Sequence, residues 1–135
     1  MTGTQTAQPP VEGSKSAAIS NLTVRLLSQY TGRGPTKART FFNDDMVTVV
    51  LWDTLTKGEI SLVDCDHGEM VLATRRTFQD AMTGDLTAGI ERILQRKVIA
   101  FLSANHIDPD IGVETFILAP VEDAAPPSTP LLPAA

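Results

Sequence analysis

The sequence predicts an α+β fold, a four-stranded and largely antiparallel sheet with helices packed on one face, and three observations carry the prediction. Apolar residues recur at helical spacing in residues 16–31 and 69–94, and β-branched and aromatic runs occupy 37–52 and 97–118. The polar stretches "NDD" and "NHIDPDIG" interrupt each run as a hairpin loop would. The two ends also resemble each other: each reads Leu-Thr, helix, strand, Asn-bearing loop, strand, which suggests a two-fold αββ pseudo-repeat around one sheet.

The first helix presents Ile19, Leu22, Leu26, Leu27 and Tyr30 on one stripe, with Ser16 placed to cap its start and Gly32 to end it. "KARTFF" and "MVTVVLW" then form a hairpin about Asn43-Asp44-Asp45. In the second strand Val47, Val49 and Leu51 share one side and Met46, Val50 and Trp52 the other, so both faces are apolar enough for a central strand. "TKGE" reads as a capping box in which Thr56 and Glu59 bond each other's backbone, opening a short helix that carries Ile60, Leu62 and Val63. "DCDHG" interrupts it near Gly68. A helix resumes from Glu69 with Val71, Leu72, Phe78 and Met82, and Leu86, Ile90, Ile93 and Leu94 continue the pattern beyond Gly84, which either breaks or bends it. "KVIAFLSA" and "VETFIL" close the domain as a second hairpin.

A chain of 135 residues, 42% hydrophobic, suits one domain with one core. Residues 1–15 and the Pro/Ala-rich 120–135 read as disordered tails, leaving 16–119 as the domain. A net charge of −5 is the wrong sign for nucleic acid or an anionic membrane. No apolar run is long enough to span a bilayer and the N-terminus lacks a signal-peptide pattern, so a cytoplasmic protein without membrane insertion is expected. Cys65 is the single cysteine, which excludes an intrachain disulfide. Its neighbours are acidic rather than basic, so a reactive thiol is not expected and a half-buried packing role is.

Four constellations have chemical interest. In "TGRGPTKA", Gly32, Arg33, Gly34, Pro35 and Lys37 offer backbone N–H groups and positive charge to an anion. The order is not that of a phosphate loop, and these glycines follow a helix, so the dipole points the wrong way and a helix stop explains them better. Asp64, Asp66, His67 and Glu69 lie within six residues, yet no second histidine stands at helical spacing from His67, so no metal site is expected. Asp44, Asp45, Asp108 and Asp110 fall in the two hairpin loops; they converge on a cation only if those loops share an end of the sheet, and turn chemistry accounts for them otherwise. Arg75 shares a helix face with Leu72, Phe78 and Met82, where it either holds a carboxylate or partner or snorkels over the core, and Arg76 points elsewhere. No nucleophile–base pair and no cofactor signature stands out, which favours a non-enzyme.

The combination of "LLSQYTGRGPTKARTFFNDDMVTVVLWDTLTKGE", "TRRTFQDAM", "IERILQRKV" and "VETFIL" resembles the MpsC-like family over about residues 18–119. The matching motif is G-[basic]-G-P, a hairpin and L-T-x-x-E, met by Gly32, Arg33, Gly34, Pro35, Leu55, Thr56 and Glu59, with an arginine of the middle helix, Arg75 or Arg76. Where the family pattern has a glycine ahead of the third strand, this chain has Gln95. The resemblance implies a bacterial accessory or regulatory protein associated with membrane ion or inorganic-carbon transport and a membrane transport component as partner. Two-fold assemblies being commonest, a homodimer is expected. The exposed sheet face or the GRGP corner would be its contact surface; the rival is a small-anion or nucleotide sensor at Arg33 and Lys37, and an enzyme ranks lowest.

Overall fold

A computed structural model describes residues 11–121. The elements run α1 (Val11–Thr31), β1 (Lys37–Asn43), β2 (Met46–Trp52), α2 (Lys57–Asp64), α3 (Gly68–Leu94), β3 (Val98–His106) and β4 (Ile111–Leu118). The strands form one sheet in the order β1-β2-β4-β3, every neighbour antiparallel. The α+β class and the central position of β2 are as the sequence predicts. The order is symmetric under exchange of the two hairpins, as an αββ repeat requires, but topology alone does not establish a duplication.

Three boundaries differ from expectation. α1 begins at Val11, so Ser16 lies inside the helix and residues 11–15 are not tail; the rest of both expected tails, 1–10 and 122–135, lies outside the described residues. α3 runs unbroken for 27 residues through Gly84, which is exposed with no atom within 4 Å of where a Cβ would sit. The middle of the chain therefore holds two helices rather than three. The second hairpin has longer strands than its sequence suggests, so the loop shrinks to residues 107–110 and His106 becomes the last residue of β3.

The core lies between one face of the sheet and helices α1 and α3. Ile19, Leu22, Leu26 and Leu27 of α1 meet Met82, Leu86 and Ile90 of α3 above Val47, Val49 and Leu51 of β2 and Phe116 and Leu118 of β4. Phe101 stacks on Phe116 with centroids 4.9 Å apart. The helices cross closely at Gly89, where a Cβ would stand 2.4 Å from Leu22 Cδ2. On α3, besides Gly89, the buried positions are Val71, Arg75, Gln79, Met82, Leu86, Ile90 and Leu94, at intervals of three and four. One stripe is therefore polar in its first half and apolar in its second.

Candidate functional site

The GRGP corner is a structural joint. Gly32 takes φ +85°, where a Cβ is disfavoured, and its N–H bonds Ser28 O at 2.9 Å to close α1. Arg33 N–H donates to Thr31 Oγ1, and the Arg33 guanidinium reaches across to Asp53 O, with Nε at 3.3 Å and Nη2 at 3.2 Å. Thr36 adds a bond from its Oγ1 to Asp53 Oδ2 at 2.6 Å, and its N–H bonds Trp52 O. Lys37 Nζ sits 4.6 Å from the centroid of Trp52. The Arg33 guanidinium and the Gly32 and Arg33 N–H groups are thus bonded within the chain, and Arg33 and Thr36 tie the α1–β1 link to the end of β2.

The loop carboxylates do not converge. Register pairs Met46 with Ile117 and Trp52 with Ile111, which puts the Asp44-Asp45 turn at one end of the sheet and the Asp108–Asp110 turn at the other. Asp110 accepts from Thr54 Oγ1 at 3.0 Å and Leu55 N at 2.9 Å, so it fastens the β2–α2 link. Asp45 accepts from Arg96 Nη2 at 2.7 Å. His106 Nδ1 lies 2.8 Å from Pro109 O in its own turn. Among the described residues no three His, Cys, Asp or Glu side chains gather as metal ligands. Cys65, expected to be half-buried, is instead exposed at the C-cap of α2, because that short helix presents its end to solvent.

Two parts of the family-like motif meet in the interior. Thr56 Oγ1 accepts from Glu59 N at 3.1 Å and Glu59 Oε1 accepts from Thr56 N at 2.8 Å, completing the predicted capping box. The same Glu59 Oε1 accepts from Arg75 Nη1 at 3.1 Å. Of the two alternatives for Arg75 the structure has the carboxylate-holding one, and the residue is only 2% exposed. Helical geometry separates it from Arg76, which is exposed and lines a cleft of about 190 Å³ with Leu72, Gln79, Ser103, Ala104 and Asn105.

Sequence reasoning passed over what lies beside this pair. Glu114 of β4 is 1% exposed; its Oε2 accepts from Gln79 Nε2 at 3.2 Å, and Gln79 Oε1 accepts from Asn105 Nδ2 at 3.0 Å. Burial pushes the Glu114 carboxyl up to about 7, against the lowering effect of Ser103, Gln79 and the charge of Arg75. Ser103 stands directly across the ladder, yet its Oγ and Glu114 Oε1 complete no hydrogen bond of normal geometry. One signal was present in the sequence: Glu114 shares strand parity with Phe116 and Leu118, the inward side chains of β4.

Among the described residues no helix packs on the opposite face of the sheet. Register builds it as four rows of four: Lys37, Trp52, Ile111, His106; then Arg39, Val50, Val113, Ala104; then Phe41, Thr48, Thr115, Leu102; then Asn43, Met46, Ile117, Ala100. Phe41, Met46 and Leu102 are 46%, 38% and 57% exposed, so apolar surface continues across all four strands. No carboxylate interrupts the grid.

Fold and surface together define a small α+β domain whose organised interior serves stability and whose uncovered sheet is its most distinctive exposed feature. The chain belongs to the MpsC family, described as a Na+-translocating membrane potential-generating system, which it matches over residues 12–120. It is 27% identical over 95 residues to the uncharacterized protein YrhF of Bacillus subtilis (strain 168), covering 69% of this chain and 78% of that one. No solved structure gives a significant match. Among the described residues no helix is long and apolar enough to cross a membrane.

Proposed function

We propose that this chain is a non-enzymatic accessory or regulatory protein of a bacterial membrane-potential-generating or inorganic-carbon transport system, working as a homodimer on the cytoplasmic side through protein contacts. The family match supports the membrane-system context. The observation that carries contact as the mode of action is the sheet face turned away from the helices, where Phe41, Met46 and Leu102 stand exposed in a mainly apolar grid. A patch of that extent falls in the size range of the largest surface patches of small proteins, which are often functional. The small-anion reading at Arg33 and Lys37 has less behind it, because the Arg33 guanidinium is already bonded to Asp53 O and the glycines serve the helix stop.

Affinity purification of the tagged full chain from solubilised membranes of its native host tests the role. An integral membrane transport component should co-purify in amounts related to the bait. Recovery of the chain without any such component would defeat the accessory reading.

A further inference from the structure

We infer that the occupant of the bare sheet face is a second copy of this chain, laid face to face so that a two-fold axis runs parallel to the strands and the two sheets form an eight-stranded sandwich. This rests on the reading of that face as a contact surface and names what covers it.

The register of the grid selects the axis. A two-fold along the strands lays β1 over β3 of the second copy and β2 over β4, with each row meeting its own row. Phe41 then faces Leu102 of the second copy, Val50 faces Val113, Met46 faces Ile117 and Trp52 faces Ile111. Thr48 faces Thr115, so the most polar central positions meet as hydroxyls; within one copy their Oγ1 atoms already lie 3.1 Å apart. The same axis sets Arg39 over Ala104 and Lys37 over His106; a two-fold across the strands would instead reverse the rows, placing Thr48 against Val50 and Thr115 against Val113, so the hydroxyls would lose each other as partners.

Charge points to the same axis. Lys37 and Arg39 form a basic corner on β1 at the Trp52 end, and the β3–β4 turn, at that same end on the other half of the sheet, carries the exposed Asp108, which also lines a cleft with Ile60 and Val63 of α2. The strand-parallel axis brings each basic corner to the acidic turn of the other copy, twice per dimer. The grid spans four strands about 4.8 Å apart and seven residues at about 3.4 Å each, about 450 Å² in projection before side-chain relief and turns are added. That is the order of the ~800 Å² of accessible surface per partner that standard interfaces bury.

Sedimentation velocity on the full chain tests this. The wild type should sediment as a dimer of 14.5 kDa protomers. Leu102→Glu alters a side chain already exposed, so the fold should persist by circular dichroism and cooperative unfolding. Because it acts at two symmetric places, it should weaken the dimer roughly a hundredfold. Lys37→Glu should weaken it less, and Lys37→Glu with Asp108→Lys should restore it, a rescue that only the strand-parallel arrangement gives. A monomeric wild type overturns the proposal, as does one that dimerises only after residues 122–135 are removed, since the chain's own C-terminal segment would then be the occupant. If the wild type is monomeric and Leu102→Glu abolishes co-purification of the membrane component, the second-copy assignment falls together with the homodimer of the proposed function, and the face remains a partner surface for the accessory role. A dimer indifferent to Leu102→Glu and Lys37→Glu removes both the assignment and the surface on which it rests.

Discussion

Arg75 Nη1 donates to Glu59 Oε1 at 3.1 Å, joining α2 to α3 through side chains that are only 2% and 9% exposed. The carboxylate also caps α2, so one oxygen serves a helix start and an ion pair. Removing the cation leaves a buried carboxylate without its counter-charge, the costly way to break such a pair. Arg75→Met should therefore lose about 3–5 kcal/mol in urea unfolding, and Glu59→Gln added to it should return part of the loss. Equal stability of wild type and Arg75→Met would show that the pair contributes nothing.

Glu114 makes the fold sensitive to pH. Its carboxyl titrates about 7 when folded, against an ordinary value of 4.5, so between those values the folded state holds a proton that the unfolded state has released. Stability is then unaffected below about 4.5, falls as pH rises toward 7 and levels off above it. The loss amounts to about 3 kcal/mol in order of magnitude. Glu114→Gln should be the more stable form at pH 8 and should flatten the pH dependence between 5 and 7, as read by thermal melts across pH.

Two glycines of α3 should respond oppositely to alanine. A Cβ at Gly89 runs into Leu22 Cδ2 and Cδ1, at 2.4 and 2.9 Å, and Leu22 is itself buried between the helices. Gly89→Ala should cost about 1–3 kcal/mol by overpacking. Gly84 meets nothing, so Gly84→Ala should add about 0.5–1 kcal/mol through helix propensity. Chemical denaturation of the two variants side by side settles the comparison.

Gln95 occupies the left-handed conformation at the C-cap of α3, φ +55°, with its N–H bonded to Glu91 O at 2.8 Å. This gives a physical reason for a glycine at that place in the family pattern. Gln95→Gly should raise stability by about 0.5–1 kcal/mol, the Cβ strain relieved exceeding the lost Nε2 bond to Arg92 O. A lower melting temperature for the variant would count against that balance.

At the GRGP corner, Arg33→Ala should cost at most about 1 kcal/mol, since the guanidinium's bonds to Asp53 O are exposed. A thermal-shift series with bicarbonate, phosphate and nucleotides should move wild type and Arg33→Ala alike. Stabilisation confined to the wild type would revive the anion-sensor reading.

What was legible in the sequence was whatever local chemistry decides. Thr56 and Glu59 announce a helix start because the capping box is complete within four residues, and Gly32 announces a helix end because its backbone requirement is its own. β2 reads as central because both of its faces are apolar. Arg75, Gln79 and Glu114 were harder, since each is an ordinary surface residue type and only partners on other elements make its burial affordable. The start of α1 differs because Ser16 is a good cap residue by type, yet the helix continues back through it to Val11. The bare sheet face was hidden for a different reason: alternation marks two sides of a strand but not which side the helices take.

The strand order also sets the sequence of assembly. β1 and β2 form a hairpin across two residues, whereas the central β2–β4 ladder joins residues about sixty to seventy apart and must wait for both intervening helices. A nascent chain that has not yet delivered β4 exposes β2 as an open edge backed by Val47, Val49 and Leu51. Its last strand is thus also its lock, and the window before that strand arrives is when this protein is most open to pairing with the wrong neighbour.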